Sequence, residues 1–557
     1  MTDHNSASPA APHRQYWATR LGVILAVAGS AVGLGNFVRF PAQAVEYGGI
    51  FMIPYFVAFI LIGLPIVWSE WAMGRFGGMR GFNSAPGIFS ILYPRPGKSL
   101  IGGWSLMIPV GIYSYYVFIE AWCLAYALKY LFGVMPGTVA LDEGGETASA
   151  AAYFLHMVGY GENGQVFGVD GAFLLACVAF CFAINLVLII RGLNRGIEWF
   201  CRWAMPLLVL VALIVLVRVL TLGSPVAAAP ERNVLTGLGF MWNPDGGEEH
   251  WWRQLLNAQI WMAATSQIFF SLSIGLGVIV CYASYLRRRD DVALSSTAAA
   301  AGNGFCEVAL GGLIVIPAIF IFLGADQVQG LGGSTLGTGF MALPSVFAEM
   351  PAGRVFGFLF FFLLFLAAVT SSISMLQPGI AFLEEGLHLR RFQAAGILAV
   401  PTLIGVLLVM WYSANLVVLD TVDFWLATFG IFMLAMTQLL IFTFSLGIRR
   451  GLAALREGSQ VGIPSWVGVL IGVVAPLYLS VIFITWLYQQ ITATEGNRFH
   501  ALAQGPVLVG FGFVLALLIG FTLLSWIANR RWRAQAAAGL IPDPRMALVS
   551  EPEEDAP

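Results

Sequence analysis

The stretch AVAGSAVGLGNFVRFP, residues Ala26 to Pro41, lies inside an apolar run that is long enough to cross a lipid bilayer. Three glycines, Gly29, Gly33 and Gly35, fall within seven positions, and each costs a helix interior about 1 kcal/mol relative to alanine. In hydrocarbon, unwound backbone is tolerated only where it is buried in protein or lines a cavity. The stretch therefore predicts either a tight helix-packing face or a discontinuous helix with a binding site at its break.

The composition indicates a helical integral membrane protein. Of 557 residues, 59% are hydrophobic and 10% are charged, whereas an average soluble domain is about 25% charged. Residues 1–15 are polar and the first apolar run is too long for a signal peptide, so we expect no cleaved leader. The net charge of −2 indicates no nucleic-acid partner. The six cysteines lie in or beside apolar segments, without the spacing of a disulfide framework or a metal site.

Twelve apolar segments predict twelve membrane spans with both termini in the cytoplasm. We number them span 1 to span 12, at about residues 16–46, 50–74, 99–132, 170–190, 196–221, 251–286, 292–324, 354–385, 393–413, 416–447, 464–490 and 505–529. Basic residues follow every even-numbered span, whereas the segment 134–169 has acidic residues but no Lys or Arg. Because basic loops stay in the cytoplasm, the even-numbered spans end inside.

Span 6 carries a second interruption, in SQIFFSLSIGLG (Ser266–Gly277), which places hydroxyl groups and two glycines at mid-span. Spans 1 and 6 are an odd number of spans apart, so they run through the membrane in opposite directions. Paired interruptions in two inverted halves point to the binding site of a secondary transporter. The two stretches together therefore favour discontinuous helices over simple packing faces.

Several longer motifs are specific enough to compare with known families. They are WATRLG (Trp17–Gly22), GSAVGLGNFVRFP (Gly29–Pro41), EWAMGRFGG (Glu70–Gly78), YYVFIEAW (Tyr115–Trp122), QIFFSLSIGLG (Gln267–Gly277), CYASYLRR (Cys281–Arg288), TSSISMLQPGIAFLEE (Thr370–Glu385) and VDFW (Val422–Trp425). In this collinear order the chain resembles the neurotransmitter:sodium symporter family, and most closely its bacterial amino-acid transporter branch, typified by a bacterial leucine transporter. The resemblance covers about Arg14 to Trp526.

The resemblance implies an all-α membrane fold with a five-plus-five inverted repeat, in which helices 1 and 6 are discontinuous and two further helices follow. Residues 16–221 would form the first repeat, 222–250 an extracellular loop, 251–447 the second repeat and 464–529 spans 11 and 12. The segments 1–15 and 534–557 would be cytoplasmic tails. The resemblance also implies sodium-driven uptake of amino acids by alternating access across the inner membrane of a bacterium, and a possible homodimer.

The resemblance also assigns a substrate site. In it, the Leu34 and Gly35 amides and the Tyr116 hydroxyl hold the amino-acid carboxylate, while carbonyl and hydroxyl oxygens at both breaks hold the ammonium group. The full set of substrate-site residues is Ala31, Val32, Leu34, Gly35, Ile112, Tyr116, Phe270, Ser271, Ser273, Leu276, Ser371 and Met375. None of these side chains is ionised, which indicates a neutral, hydrophobic substrate. Ile112, Leu276 and Met375 depart from the typical pattern, so leucine, methionine and an aromatic amino acid all stay open.

Two sodium sites are implied as well. The first would use Ala31, Asn36, Ser271, Asn303 and the substrate carboxylate, and the second Gly29, Val32, Ala367, Thr370 and Ser371. The alternative for Thr370 and its serine neighbours is a hydrogen bond back to their own helix. Glu307, near Tyr55 and Gln267, occupies the place where animal members bind chloride, so we expect no chloride requirement; it is also a candidate proton carrier. Glu120 is interpreted as structural and as a candidate partner for the unwound part of span 6.

The same resemblance implies two gates. Arg39 and Asp423 would form an outer gate beside Tyr116 and Phe270. An inner gate would lock Arg14 and Trp17 against Glu385, with Tyr285 nearby, although the family usually has aspartate where this chain has Glu385. An arginine without a partner is the alternative for Arg14.

Two other function classes are weighed against transport. A membrane sensor that kept the site without turnover is the main alternative, and an ion channel ranks last because the breaks predict closed sites rather than a repeated pore ring. No nucleophile triad, phosphate loop or metal motif lies in a credible context, so we expect no enzyme activity.

Overall fold

The computed structural model describes residues 16–135, 149–244, 250–324, 334–492 and 498–539. Every regular element in these ranges is a helix, as the sequence predicted. Ten helical runs are long and apolar enough to cross a membrane: Gly35–Gly78, Lys98–Phe132, Val169–Ile190, Leu193–Leu220, Val292–Leu323, Gly353–Leu387, Arg391–Trp411, Ala414–Arg456, Val467–Thr492 and Gly505–Ala537.

The difference between ten long runs and twelve predicted spans arises at spans 1 and 6. Span 1 begins as the helix Arg20–Ala31, and its second half is continuous with span 2 in the run Gly35–Gly78, which turns at Gly48 (φ +65°). Span 6 is divided into the helices Ala258–Ser271 and Val278–Ala283, each too short to cross a bilayer alone. The count of twelve crossings stays a prediction.

Shorter helices connect the long ones. They are Ala85–Leu92, Ala150–Met157, Val234–Trp242 and Leu343–Glu349. Several helices begin at a polar cap: the side chains of Thr19, Ser84 and Asn257 accept hydrogen bonds from backbone N–H groups in the first turn that follows each of them. These caps fix where the helices start.

Spans 3 and 8 form the centre of the molecule. Each is a helix of 35 residues, and long stretches of both are fully buried, including Ile112 to Tyr115 in span 3 and Ala367 to Leu376 in span 8. The two broken helices lie beside this pair, because Tyr116 of span 3 and Ser371 of span 8 both reach the break in span 1. Polar groups of spans 1, 3, 6 and 8 therefore lie close together in the core.

Candidate substrate and ion sites

The break in span 1 is short and is closed by side chains. The helix ends at Ala31, and Val32 adopts an extended backbone (φ −75°, ψ 98°) before the helix resumes at Leu34. The Asn36 side-chain oxygen accepts the Gly33 N–H at 2.9 Å. A Cβ atom on Gly33 would lie 2.9 Å from both the Ser371 and Tyr116 hydroxyl oxygens, so only glycine fits between these two groups.

The break in span 6 is longer and depends on its backbone. It runs from Leu272 to Gly277 and contains three residues with positive φ: Ser273 (56°), Gly275 (71°) and Gly277 (73°). A Cβ on Gly275 would lie 2.4 Å from the Ile431 carbonyl oxygen. Both the conformation and the close approach therefore require glycine at this position.

One interpretation from the sequence is wrong at this break. The carboxylate that bonds the unwound segment is Glu70 of span 2, whose Oε1 accepts the Gly275 N–H at 2.9 Å. Glu120 instead accepts hydrogen bonds from Asn185 and Ser372. The reason is position: Glu120 lies on the face of span 3 that packs against spans 4 and 8, away from the break in span 6.

Several of the residues assigned to the substrate come together between the two breaks. The Leu34 N–H points to the Tyr116 hydroxyl at 3.3 Å, and the Ser273 hydroxyl donates to the Ser30 carbonyl at 3.3 Å, which joins the two broken helices. Phe270 packs against Gly35, where a Cβ would lie 2.9 Å from its ring. Three further assigned residues are buried on spans 3, 6 and 8: Ile112, Leu276 and Met375. The lining is neutral and largely apolar.

Three side chains assigned to the first sodium ion form one hydrogen-bonded cluster. The Asn36 amide donates to the side-chain oxygen of Asn303 at 2.9 Å, and the Asn303 amide donates to the Ser271 hydroxyl at 2.6 Å. All three residues are almost completely buried. Neutral amide and hydroxyl oxygens suit a hard monovalent cation, so the donor set fits sodium. Ala31, whose carbonyl the resemblance assigns to this site, is the last residue of the helix Arg20–Ala31.

Glu307 lies directly behind this cluster. Its Oε2 accepts the hydroxyl groups of Tyr55 and Ser271, each at 2.6 Å, and its Oε1 accepts the Gln267 amide. The expected proximity to Tyr55 and Gln267 is confirmed. Ser271 therefore contacts both the candidate ion ligand Asn303 and the carboxyl group of Glu307, which lies one residue away from the first assigned sodium site.

The residues assigned to the second sodium ion connect spans 1 and 8. The Ser371 hydroxyl faces the Ser30 carbonyl at 3.2 Å and the Gly29 carbonyl at 3.5 Å. The Thr370 hydroxyl donates to the carbonyl of Ala367 at 2.9 Å, which is the hydrogen bond to its own helix that we considered as the alternative. Val32 begins the break in span 1, directly after the helix that carries Gly29.

The outer-gate residues lie close to the site, each with a different partner. Arg39 donates to the Ser266 hydroxyl at 2.9 Å and covers the Phe270 ring at 4.7 Å, whereas Asp423 accepts the Tyr115 hydroxyl at 2.5 Å. In the described part of the chain, no ion pair joins Arg39 to Asp423. The sequence analysis did not single out Ser266 or a bond from Tyr115 to Asp423.

The inner-gate residues are partly described. Arg14 lies outside the described residues. The Trp17 indole donates to the Tyr282 carbonyl at 2.9 Å, and the Trp17 N–H reaches the Tyr285 carbonyl at 3.4 Å. Glu385 accepts the Ser84 N–H and hydroxyl at 2.9 and 2.8 Å, so it holds the residue that caps the helix Ala85–Leu92. In this arrangement Trp17 and Glu385 have separate partners.

Glu198, on span 5, is a further residue that the sequence analysis missed. It is 1% exposed, and its carboxylate accepts the Ala18 N–H at 3.2 Å and the Thr19 hydroxyl at 3.0 Å. It thereby anchors the start of span 1 near the inner-gate residue Trp17. The available signal was an acidic residue at the beginning of an apolar span, which is rare without a function.

Comparisons with known proteins agree with this architecture. The family model for the sodium:neurotransmitter symporter family matches residues 14–143 and 138–531. An uncharacterized sodium-dependent transporter from Methanocaldococcus jannaschii is 27% identical over 513 residues, which cover 91% of this chain and 97% of the relative. A sodium-dependent nutrient amino acid transporter 1 from Drosophila erecta is 27% identical over 487 residues, covering 79% of this chain and 72% of the relative.

A solved structure is similar over most of the chain. The crystal structure of MhsT in complex with L-phenylalanine matches with a TM-score of 0.70 and 27% identity, covering 85% of this chain and 99% of that one. The fold, the family model and the relatives all indicate a transporter rather than an enzyme. The protein is therefore a membrane transporter that belongs to the sodium:neurotransmitter symporter family.

Proposed function

We propose that the protein is a symporter that uses sodium to import neutral, hydrophobic amino acids by alternating access. The observation that carries this proposal is the convergence of polar backbone and hydroxyl groups between the two breaks, where none of the assigned residues has an ionisable acidic or basic side chain. A zwitterion needs donors for its carboxylate and acceptors for its ammonium group. Broken helices offer both, because their ends leave N–H and C=O groups without intrahelical partners.

The substrate carboxylate is the proposed link between substrate and ion. The Leu34 N–H and the Tyr116 hydroxyl converge at one end of the pocket, and the Asn36 side chain holds the same turn through the Gly33 N–H. A carboxylate bound there also lies next to the Asn36, Ser271 and Asn303 cluster. Bound sodium then raises the affinity for the amino acid, and the bound amino acid raises the affinity for sodium, since coupling between two ligands is reciprocal.

Two sodium ions per cycle are proposed, one in each assigned site. Support for the second comes from the convergence of Ser371 with the Gly29 and Ser30 carbonyls, which supplies oxygens from two different spans. We also propose that no chloride is required, because Glu307 already places a buried negative charge behind the first site. The family relation supports the use of sodium itself.

The proposed location is the cytoplasmic membrane of a bacterium, with both termini inside, in agreement with the basic residues after even-numbered spans. Both aliphatic and aromatic amino acids remain candidates for the substrate. A structural relative bound to L-phenylalanine supports a pocket of that size and character. Met375, which is flexible and polarizable, lets the pocket adjust to more than one hydrophobic side chain.

The test is uptake into proteoliposomes of a panel of radiolabelled neutral amino acids, with an inward sodium gradient or with potassium replacing sodium. We expect accumulation of one or a few hydrophobic amino acids that depends on the sodium gradient. Protein-free liposomes are the control for leakage. Sodium-dependent binding without accumulation would reject transport in favour of a sensor, and uptake of charged amino acids instead would reject the pocket assignment.

A further inference from the structure

Glu198 holds the start of span 1 through contacts that the proposed substrate and ion sites do not use. The residue is almost completely buried, and its carboxyl group accepts the Ala18 N–H at 3.2 Å and the Thr19 hydroxyl at 3.0 Å. Thr19 is the N-cap of the helix Arg20–Ala31. The carboxyl group therefore lies at the N-terminus of this helix, where the helix dipole favours a negative charge.

The first half of span 1 lies along one face of span 5. A Cβ atom on Gly22 would overlap the Glu198 carboxyl group. Gly29, about two turns later on the same side of the helix, faces span 5 as well, because a Cβ there would lie 3.2 Å from the Cys201 sulfur and 3.3 Å from the Met205 sulfur. Glu198, Cys201 and Met205 are spaced by three and four residues, so they share one face. This interface runs from the carboxyl group to Gly29 of the second assigned sodium site.

The other described contacts at the start of span 1 are weaker in kind. Arg20 reaches Asp291 of span 7 at 3.5 Å, but the arginine side chain is 40% exposed, and exposed ion pairs are screened by water and salt. Trp17 donates to two backbone carbonyls that follow the break in span 6. Such bonds between neutral groups are about half as strong as bonds to a carboxylate. A buried carboxyl group that loses its donors also bears its desolvation cost, so the contact with Glu198 is the most costly of the three to break.

Release of ions and substrate into the cytoplasm requires one of the inner half-helices to move. With both termini inside, as proposed, the helix Arg20–Ala31 lies between the break in span 1 and the cytoplasm. The inner half of span 6 follows a bend that is fixed in the backbone at Gly275, whereas the start of span 1 is held by side chains. Movement of span 1 away from span 5 therefore needs only side-chain bonds to break.

We propose that Glu198 is a positioning residue that keeps the cytoplasmic side closed, and that its contact with the start of span 1 breaks when ions and substrate are released. The proposal rests on the proposed function, because it assigns Glu198 to one step of alternating access. The described partners of its carboxyl group, Ala18, Thr19 and Arg202, are not assigned ion or substrate ligands. Glu198 acts instead on the relative populations of the closed and open states.

Cys201 is a natural reporter of this step. It is fully buried and faces Gly29, so movement of span 1 away from span 5 would uncover its thiol group. Cys123 of span 3, which is also fully buried, is the internal control. The test is labelling of the purified full-length protein with a polar maleimide in potassium, followed by mass spectrometry of the peptides. Because only accessible thiol groups react, the two rates separate opening at span 1 from general loosening.

We expect Cys201 to be labelled about tenfold faster in Glu198→Ala than in the wild type, the effect of losing a hydrogen bond to a charged group. The Cys123 rate should not change. Glu198→Gln keeps one acceptor oxygen, so its Cys201 rate should rise only about threefold. Arg20→Gln is the matched control, because it removes an exposed contact of the same helix with span 7, and it should be labelled like the wild type.

Three results would overturn the proposal: an unchanged Cys201 rate in both Glu198 variants, an equal acceleration at Cys201 and Cys123, or an Arg20→Gln protein that is labelled as fast as Glu198→Ala. If the alanine variant cannot be purified, the glutamine variant decides alone, and a wild-type Cys201 rate in it would reject the role of Glu198. Labelling needs neither substrate nor uptake, so a failed uptake panel would count against the proposed function alone.

Discussion

The two breaks that define the site differ in what holds them open. The break in span 1 is two residues long, has no residue with positive φ and is closed by side chains such as Asn36 and Tyr116. The break in span 6 is six residues long, has three positive φ values and is confined by backbone carbonyls of spans 3 and 10. The first is therefore adaptable at its side chains, and the second is a fixed bend in the backbone.

This difference assigns separate tasks to the two helices. Hydrogen bonds from side chains can be exchanged for bonds to a ligand, so the span 1 break is suited to binding ions and substrate. At the span 6 break, the backbone of Gly275 is in the left-handed region, donates to Glu70 and packs against Ile431. Its conformation can change only if the whole helix moves. The span 6 break is thus suited to keep a fixed geometry while ligands bind at span 1.

The largest expected effect comes from adding one methyl group at the span 6 break. In Gly275→Ala the new Cβ lies 2.4 Å from the Ile431 carbonyl, and φ is +71°, which costs a non-glycine residue about 1–2 kcal/mol before any clash. We expect a large fall in the thermal midpoint in detergent and loss of uptake.

The matched control for this substitution is Gly396→Ala in span 9. A Cβ at Gly396 meets open space, and alanine favours a helix by about 1 kcal/mol over glycine. Its midpoint should stay or rise. A Gly275→Ala protein with wild-type midpoint and uptake would refute the fixed-bend interpretation.

The next effect concerns the carboxylate that holds the same bend. Glu70→Ala leaves the buried Gly275 N–H without an acceptor, which costs about 1–3 kcal/mol. Glu70→Gln keeps a side-chain oxygen at the same place and should lose less. Uptake rates and thermal midpoints of the two variants measure this. A glutamine variant that loses as much as the alanine variant would show that charge, rather than the hydrogen bond, is what the bend needs.

At the span 1 break, the side-chain interpretation predicts a change in binding without unfolding. Asn36→Ala removes an assigned ligand and the acceptor of the Gly33 N–H, so the sodium concentration for half-maximal uptake should rise about tenfold, the effect of losing one hydrogen bond to a charged group. The control is Ser90→Ala, whose buried hydroxyl bonds only its own helix. Unchanged sodium dependence in Asn36→Ala would reject the ligand assignment.

The sequence predicted both breaks because glycines and hydroxyl groups inside apolar runs are costly unless they allow close packing or form a binding site. It also predicted that Glu307 lies beside Tyr55 and Gln267, since the resemblance covers all three positions. It did not predict which acid bonds the span 6 break, because that depends on how spans 2 and 3 are rotated about their axes. Glu70 and Glu120 look alike in sequence, and only the packing separates them.

The contacts of the gate residues were also beyond the sequence. The resemblance implied that Arg39 and Asp423 form an outer gate, but in the structure each is bonded to a hydroxyl group, Ser266 for the arginine and Tyr115 for the aspartate. Such exchanges between near neighbours depend on distances of an ångström or two, which no residue pattern encodes. The gate pairing therefore stays a prediction.

The smallest expected effect tests the charge behind the span 1 break. Glu307→Ser removes a buried negative charge next to Ser271 and leaves a cavity edged by the Tyr55 hydroxyl and the Gln267 amide, both of which can donate to an anion. We expect uptake by this variant to fall and to be restored in part by chloride, whereas the wild type should be indifferent to replacement of chloride by gluconate. The measurement is sodium-dependent uptake at matched ionic strength in the two salts.

Asn303→Ala is the control for this experiment, because it disturbs the same cluster without changing its charge. Its uptake should fall equally in chloride and in gluconate. If chloride restored neither variant, the function of Glu307 would not be replacement of an anion, and its three donors would then serve to fix Ser271 in place. The first sodium site would then be held by hydrogen bonds alone. The breaks in span 1 and span 6 would differ in backbone geometry but not in the charge beside them.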